Sequence, residues 1–264
     1  MNKAVLFSLL ALATAGCSHD ARQSSTTLNV TQAGQQIAVT RDPQRIVTLD
    51  YGSYDTLIAL NAGERVLAVP GNVPPYLADK AGQTQDAGNL KTPDIDAIAA
   101  LKPDLILITG RQGESRQALQ KLAPTLDMGI TDADYFAGIA HNARLLGQLV
   151  GKSAEAQQAL TKLQGKAEKA RQQVAASGQR TLVLTHNDGR FAPTEQALIY
   201  SLLQAPRALP APTPQPAGAP RQRPQPLDGD AIAAARPDVV FIIDRSAAIG
   251  ATPLDVATLA SSPL

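Results

Sequence analysis

The sequence is poor in aromatic residues, which make up 3% of the chain, and it contains no tryptophan, one cysteine and three histidines. Its core must therefore be built from aliphatic side chains. A single cysteine excludes a disulfide within one chain. A zinc or manganese site needs several imidazoles converging with a carboxylate. Of the histidines, His19 and His141 fall outside any expected cleft, so only His186 is well placed and no metal site is expected.

The charges are nearly balanced, with 24 basic and 23 acidic residues. Removal of an N-terminal segment containing Lys3 as its only charged residue would leave 23 of each sign. Such a surface has no overall attraction for nucleic acid or for an anionic membrane, so neither is an expected partner. Any charge selectivity must then be local.

Motifs that carry common enzymatic chemistry are missing. The sequence has no nucleophile elbow, no glycine loop of the type that cradles phosphates and no helical metalloprotease motif. We therefore expect neither an enzyme nor a resident cofactor.

The N-terminus has the features of a targeting segment. Lys3 precedes a short apolar stretch over residues 4–13, which is too short to span a bilayer. The stretch ends in Thr14-Ala15-Gly16-Cys17, which resembles a bacterial lipobox. We expect residues 1–16 to be a lipoprotein signal peptide and Cys17 to carry the lipid. Residues 17–27 are then a flexible tether that anchors a periplasmic protein to a membrane.

One stretch of the chain occurs twice, at residues 96–111 and at residues 230–245. Nine of sixteen positions are identical, and every position is shifted by 134 residues. Each copy predicts a short helix that ends before Pro103 or Pro237, followed by an apolar strand buried on both faces of a parallel sheet. Each predicted strand ends at an arginine, Arg111 or Arg245.

The position of these two arginines indicates where a ligand would bind. In open α/β sheets, ligands bind in the crevice beyond the carboxyl ends of the strands. The repeat therefore predicts two similar α/β lobes, each of which presents a cation to a shared cleft, and an anionic ligand. The alternative is that both arginines are solvated strand ends, or that Arg245 pairs with the neighbouring Asp244.

The order of patterns along the chain predicts the domain organisation. Strands and helices alternate over residues 28–133, which we interpret as an N-terminal lobe. Residues 134–177 show helical periodicity without proline and predict one long linking helix. Residues 178–264 then predict a C-terminal lobe. The predicted fold class is α/β, with two Rossmann-like lobes joined by this helix.

The sequence resembles the class III periplasmic binding proteins of ABC importers, in the ferric-siderophore branch. The resemblance rests on RIVTLDYGSYDTLIAL, PDIDAIAALKPDLILITGRQ, KLAPTL, the linking helix, TLVLTHNDGRFAP and RPDVVFIIDRSAAIG. It implies that a monomer captures a ferric siderophore of catecholate type between its lobes and delivers it to membrane permease subunits. By motif match, Arg111 and Arg245 correspond to family arginines that face such ligands.

Four further residues are candidate ligand contacts. His186 and Arg190 follow the first strand of the C-terminal lobe, on the edge that carries Arg245. Tyr51 and Tyr54 follow the first strand of the N-terminal lobe and could stack on an aromatic chelator. Packing against the next loop is the alternative for both tyrosines.

The C-terminal lobe departs from the family pattern. Residues 205–226 contain eight prolines, which is unsuited to a packed element, and the family segments with a third arginine and a histidine are missing. We expect an interrupted lobe, and a shifted reading frame around residues 205–225 with a premature end would explain it. Two alternative functions therefore stay open: binding of haem or cobalamin, and a degenerate lipoprotein with no tight ligand.

Overall fold

The computed structural model describes residues 26–130, 135–213, 224–249 and 251–261. Residues 1–16 and Cys17 lie outside the described residues, so the predicted signal peptide and lipid anchor have no structural counterpart here. Within the described part, no helix combines the length and apolar character needed to cross a membrane. The described chain begins with an antiparallel hairpin of β1 (Thr27–Gln32) and β2 (Gln35–Thr40).

The first lobe is a five-stranded parallel sheet in the order β5-β4-β3-β6-β7. Its strands are β3 (Ile46–Thr48), β4 (Val66–Val69), β5 (Gln85–Asp86), β6 (Leu105–Ile108) and β7 (Thr125–Asp127). Its helices are α1 (Tyr51–Ala59), α2 (Ala78–Ala81), α3 (Ile95–Ala100) and α4 (Arg116–Gln120). The predicted α/β class is confirmed.

Strand β6 shows why an all-apolar run forms the centre of this sheet. Successive side chains of a strand point to opposite faces. Leu105 and Leu107 accordingly enter one aliphatic core and Ile106 and Ile108 enter the other, and all four are fully buried. Two covered faces require apolar residues at every position, as the sequence predicted for this strand.

The segment that links the lobes is two helices, α5 (Tyr135–Leu149) and α6 (Ser153–Ser177), so the prediction of one continuous helix is wrong. The chain turns at Gly151, whose φ of 71° is left-handed and favours glycine. The two helices then pack antiparallel: a Cβ on Gly147 would approach Ala156 to 2.7 Å, and Leu160 packs on Ala140 and Ala143.

Helix α6 extends from the first lobe to the second. Its first half packs on α5, while near its end Arg171 Nε donates to the carbonyl of Leu202 at 3.2 Å and Val174 packs on a core of the second lobe. At about 1.5 Å per residue, its 25 residues span roughly 37 Å. The link between the lobes is therefore shorter than the predicted helix.

The second lobe has a three-stranded sheet in the order β10-β8-β9 within the described residues. Strand β8 (Thr181–Asn187) pairs in parallel with β10 (Val239–Asp244) and antiparallel with β9 (Arg190–Pro193). The helical elements are a π-helical turn (Leu198–Leu202), α7 (Gly229–Ala234), α8 (Arg245–Ala248) and α9 (Val256–Ser261).

The sequence repeat is a structural repeat. Helix α7 lies 134 residues after α3 at both ends, and both helices are capped by an aspartate. Asp94 accepts from Ala97 N at 2.9 Å, and Asp228 accepts from Ala231 N at 2.8 Å. The prediction that both strands are buried on two faces holds only for β6. Strand β10 lies at the sheet edge, and Phe241 stays 46% exposed.

The proline-rich segment begins with an ordered stretch, so the prediction that residues 205–226 form no packed element is wrong for residues 205–209. Thr181 N donates to Pro206 O at 2.7 Å and Ala208 N donates to Thr181 O at 3.0 Å, which places this stretch beside β8. Ala205 is buried and Leu209 packs on Leu182 and Leu184. Residues 214–223 lie outside the described part.

Candidate functional site

Contacts join the two lobes near the carboxyl ends of their parallel strands. The loop after β4 touches helix α8, which follows β10, because Asn72 Nδ2 donates to the carbonyl of Ala248 at 3.2 Å. Helix α5 also contacts the π-helical turn of the second lobe. These contacts bring strand ends of both lobes together at the place where the repeat predicted a shared cleft, and we refer to this region as the cleft.

Arg111 is presented to this cleft by a well-anchored turn. Gln112 is fully buried, its Oε1 accepts from Thr109 N at 2.8 Å, and its amide donates to the carbonyls of Leu49 and Leu90. Thr109 Oγ1 accepts from Arg111 N at 3.3 Å. The side chain of Arg111 is exposed and makes no hydrogen bond or ion pair with the described residues. Its guanidinium is thus free to bind an anion.

Arg245 is the first residue of α8 and reaches across to the other strand of its lobe. Its guanidinium donates to Asn187 Oδ1, at the end of β8. The alternative that Arg245 pairs with Asp244 is therefore wrong for this arrangement. Because Asn187 is neutral, it orients the guanidinium and leaves its charge uncompensated.

Asp244 organises the turns around Arg245. Its Oδ1 accepts from Ala247 N at 3.1 Å, which caps α8, and lies 2.9 Å from His186 Nδ1. Its Oδ2 accepts from Leu254 N at 2.7 Å. These hydrogen bonds, that from Leu254 first, lower the pKa of Asp244 from its ordinary value to about 2. The carboxylate is therefore charged at neutral pH.

His186 belongs to this network and is not presented to the cleft. It is 4% exposed, and its Nε2 accepts from Gly189 N at 3.1 Å while Nδ1 lies against Asp244. Both ring nitrogens are thus occupied within the protein. The hydrogen bond to Gly189 fixes the β8–β9 turn, and Asp188 N ties that turn to Ser246 Oγ at 2.9 Å. We call this network of His186, Asp244 and Ser246 the cleft clamp.

Arg190 follows the same turn, at the start of β9. It is exposed, and its side chain makes no hydrogen bond or ion pair with the described residues. Arg190 pairs with Asn187 in the β8–β9 hairpin, so Arg190 and Arg245 both lie next to residues of the cleft clamp at the end of β8.

The two candidate tyrosines have different environments in the structure. Tyr54 is 1% exposed, packs in the first core and donates to Lys80 O at 2.8 Å, so the prediction of ligand contact for it is wrong. Tyr51 is half-buried at the start of α1, and its hydroxyl lies 2.7 Å from Asn72 O and 3.0 Å from Pro70 O. Burial, and next the charge of Asp86, raise its pKa to about 12. Its role is to hold the loop that reaches α8.

Tyr76 is an aromatic residue at the cleft that the sequence did not single out. It is 68% exposed in the loop after β4. Partial burial, and next the negative charges of Asp55 and Asp50, raise the pKa of its hydroxyl. The hydroxyl therefore lies near these two carboxylates at the start of α1. The available signal was a large aromatic residue in a loop that follows a parallel strand. Gln112 was missed too, because its anchoring role depends on distant carbonyls.

A groove opens from the first-lobe side of this cleft. It encloses about 910 Å³ between α1, α5 and α6, and its mouth is formed by turns at the carboxyl ends of β3, β6 and β7. Its lining residues include Asp50, Ser53, Asp55, Thr56, Ala59, Leu60, Thr109, Gly110, Arg111, Met128, Ile130, Tyr135, Ile139, Asn142, Ala143, Leu146, Ala159, Leu160 and Leu163. Among the described residues, no group of three or more histidine, cysteine, aspartate or glutamate side chains could hold a metal ion.

Comparison with known proteins identifies the family. The family described as periplasmic binding protein matches residues 46–263, which includes both lobes. The chain belongs to this family. Its members and the relatives below are binding proteins, and the family implies a location outside the cytoplasm.

Two relatives are named for the siderophores that they bind. The petrobactin-binding protein YclQ of Bacillus subtilis is 32% identical over 216 residues, which cover 81% of this chain and 68% of YclQ. The ferric-anguibactin-binding protein FatB of Vibrio anguillarum is 28% identical over 243 residues, which cover 87% of this chain and 72% of FatB.

Solved structures show the same fold. The crystal structure of YclQ superposes with a TM-score of 0.79 at 27% identity and covers 89% of this chain and 82% of that chain. The siderophore-binding protein BauB, solved with a complex of acinetobactin and ferric iron, superposes with a TM-score of 0.75 at 27% identity, covering 88% and 82%. The two-lobed class III architecture is thereby confirmed.

Proposed function

We propose that this protein is the substrate-binding component of an ABC importer and captures a ferric siderophore of catecholate type. The ligand would lie between the lobes and be delivered to the membrane permease by a monomer that catalyses no reaction. The observation that carries the proposal is the set of three exposed guanidinium groups at the cleft, those of Arg111, Arg190 and Arg245. None of the three forms an ion pair with the described residues.

The charge of the ligand favours this set of residues. A ferric tris-catecholate is a triply charged anion whose charge is spread over oxygens, and guanidinium groups offer fixed donors that match such acceptors. Haem and cobalamin carry less negative charge and need these cations less. The relatives that bind petrobactin and ferric anguibactin support a siderophore over either alternative.

A titration panel tests the proposal. Purified protein is titrated with a ferric tris-catecholate, haem and cobalamin, with tyrosine fluorescence and calorimetry as readouts, because the chain has five tyrosines and no tryptophan. We expect tight binding of the ferric catecholate alone. Preference for haem or cobalamin would reassign the ligand, and binding of none of the three would support the degenerate lipoprotein.

We also propose that the protein is anchored through lipidated Cys17, after removal of residues 1–16. The support is the position of Cys17 directly after the apolar stretch and two small residues. Cys17→Ser is expected to move the protein from the membrane fraction to the soluble fraction of a bacterial host. Mass spectrometry of the wild type should show a diacylglyceryl cysteine at the N-terminus. Equal fractionation of the two proteins would rule out the anchor.

A further inference from the structure

We propose that the groove between α1, α5 and α6 is a second compartment of the ligand site, which holds an aliphatic arm of the chelator. The ligand would then be amphiphilic, with its charged iron-binding head at Arg111 and an alkyl chain in the groove. This inference rests on the proposed function, because the cleft must hold the head before the groove can hold the arm.

The two helical walls of the groove carry apolar side chains. Helix α5 contributes Ile139, Ala143 and Leu146, and α6 contributes Ala159, Leu160 and Leu163. Ala143, Leu146 and Leu160 are buried beneath the groove, whereas Ile139, Ala159 and Leu163 remain accessible to an alkyl chain. Leu163 remains 39% exposed in this wall, and exposed apolar surface that lines a groove commonly marks a binding site.

Three neutral polar side chains of the lining, those of Ser53, Thr56 and Asn142, already have hydrogen-bond partners. Ser53 Oγ donates to Asp50 Oδ2 at 2.7 Å, and Thr56 Oγ1 donates to Gly52 O at 2.8 Å. Asn142 Nδ2 donates to Met128 O at 2.7 Å. An apolar occupant would therefore leave none of these groups without a hydrogen bond. A polar arm would have to compete with bonds inside the protein.

The mouth of the groove is continuous with the anion-binding side of the cleft. Arg111 lines the groove and is also the first-lobe cation of the cleft. Beside it, the space where a Cβ of Gly110 would lie is open, with no atom within 4 Å. A chelator whose head binds Arg111 therefore has its nearest substituent at the entrance. Because the groove is continuous with the site of the head, we assign the groove to the arm of the same ligand.

The inference is tested with two probes that share one head. Both are ferric complexes of a synthetic tris-catecholate chelator with a single terminal acyl chain, acetyl in one and octanoyl in the other. Each buried methylene tightens binding roughly fourfold. If half of the six additional methylenes become buried, the octanoyl probe should bind about 50-fold more tightly. Calorimetry measures both dissociation constants below the aggregation concentration of the octanoyl probe.

A filling variant and its matched control locate the effect. Ala159 is exposed on α6 and faces the groove, so Ala159→Phe should occupy the groove without disturbing the core. Ala154 is exposed on the same helix and does not line the groove, so Ala154→Phe is the control. We expect Ala159→Phe to abolish the preference for octanoyl over acetyl. Ala154→Phe should keep the full preference.

The outcomes separate this inference from the proposed function. If the acetyl probe binds and the octanoyl probe binds no better, the groove does not hold an alkyl arm. A preference that persists in Ala159→Phe would also overturn the inference, because the chain would then bind elsewhere. A third probe with an aminohexyl arm that outcompetes octanoyl would assign the groove to a cationic arm through Asp55. If no ferric probe binds, the proposed function itself fails.

Discussion

Arg111→Ala and Arg245→Ala are each expected to weaken binding of a ferric tris-catecholate roughly ten- to hundredfold. Hydrogen bonds between charged groups contribute about 1.5–3 kcal/mol each, which corresponds to that loss. The two arginines lie at equivalent ends of β6 and β10, and no carboxylate in the described part of the chain forms an ion pair with either. Calorimetric titration of each variant measures the effect.

Arg41→Ala is the matched control for these variants. Arg41 is exposed at the opposite end of the first lobe, next to the end of α5, since the neighbouring Asp42 N donates to Leu149 O at 2.7 Å. Its removal should leave the dissociation constant unchanged. Added salt should weaken binding to the wild type more than to Arg111→Ala or Arg245→Ala. Unchanged affinity in both cleft variants would remove the argument for an anionic ligand, and an effect of Arg111 alone would show that the second lobe does not contribute.

Asp244→Ala is expected to lower the affinity about as much as Arg245→Ala, although Asp244 itself is not expected to touch the ligand. Alanine cannot accept the hydrogen bonds from Ala247 N, Leu254 N and His186 Nδ1, so α8 loses its cap and Arg245 loses its fixed position. Binding affinity and circular dichroism are measured together. The secondary structure should be retained while the affinity falls at least about tenfold.

A double-mutant cycle tests whether Asp244 acts by positioning Arg245 or by stabilising the protein in general. If Asp244 acts through Arg245, the double variant should bind no more weakly than Arg245→Ala alone, because both substitutions remove the same contact between Arg245 and the ligand. Asp244→Asn can still cap α8 and should restore part of the affinity. Asp230→Ala, an exposed aspartate in the first turn of α7, is the control. Additive losses would mean that the cleft clamp does not act on Arg245.

The parts of the fold that were predictable from sequence depend on local pattern. The helix and strand of each repeat copy follow from the apolar run, the aspartate cap and the proline, and these signals do not require the other lobe. The break between α5 and α6 was harder to predict, because Gly147 and Gly151 have opposite roles within one periodic segment. Gly147 allows the helices to approach, whereas Gly151 turns the chain. Only the packing of α6 on α5 distinguishes them.

The candidate site shows a similar limit. A strand end can be read from sequence, so the exposed positions of Arg111, Arg190 and Arg245 were predictable. Burial of the residues beside them was not. Tyr51 and Tyr54 lie on one face of α1 and both pack against the first core, but only Tyr54 is fully buried in it. His186 precedes Asn187 on β8, and the alternation of the strand points it inward to Asp244. Both outcomes depend on tertiary neighbours that the sequence does not place.

Helix α6 is anchored at both ends and has an exposed stretch in between. Its first turns are fixed to α5 and its last turns to the second lobe, whereas residues 161–166 between these contacts are all exposed. Gly165 lies in this free stretch, and glycine within a helix lowers its stability by about 1 kcal/mol relative to alanine. A bend of a few degrees at Gly165 would displace the end of α6 in proportion to the length of helix beyond the bend. The relative position of the lobes therefore depends on this exposed stretch of α6 as well as on the contacts that α5 and the loop after β4 make with the second lobe.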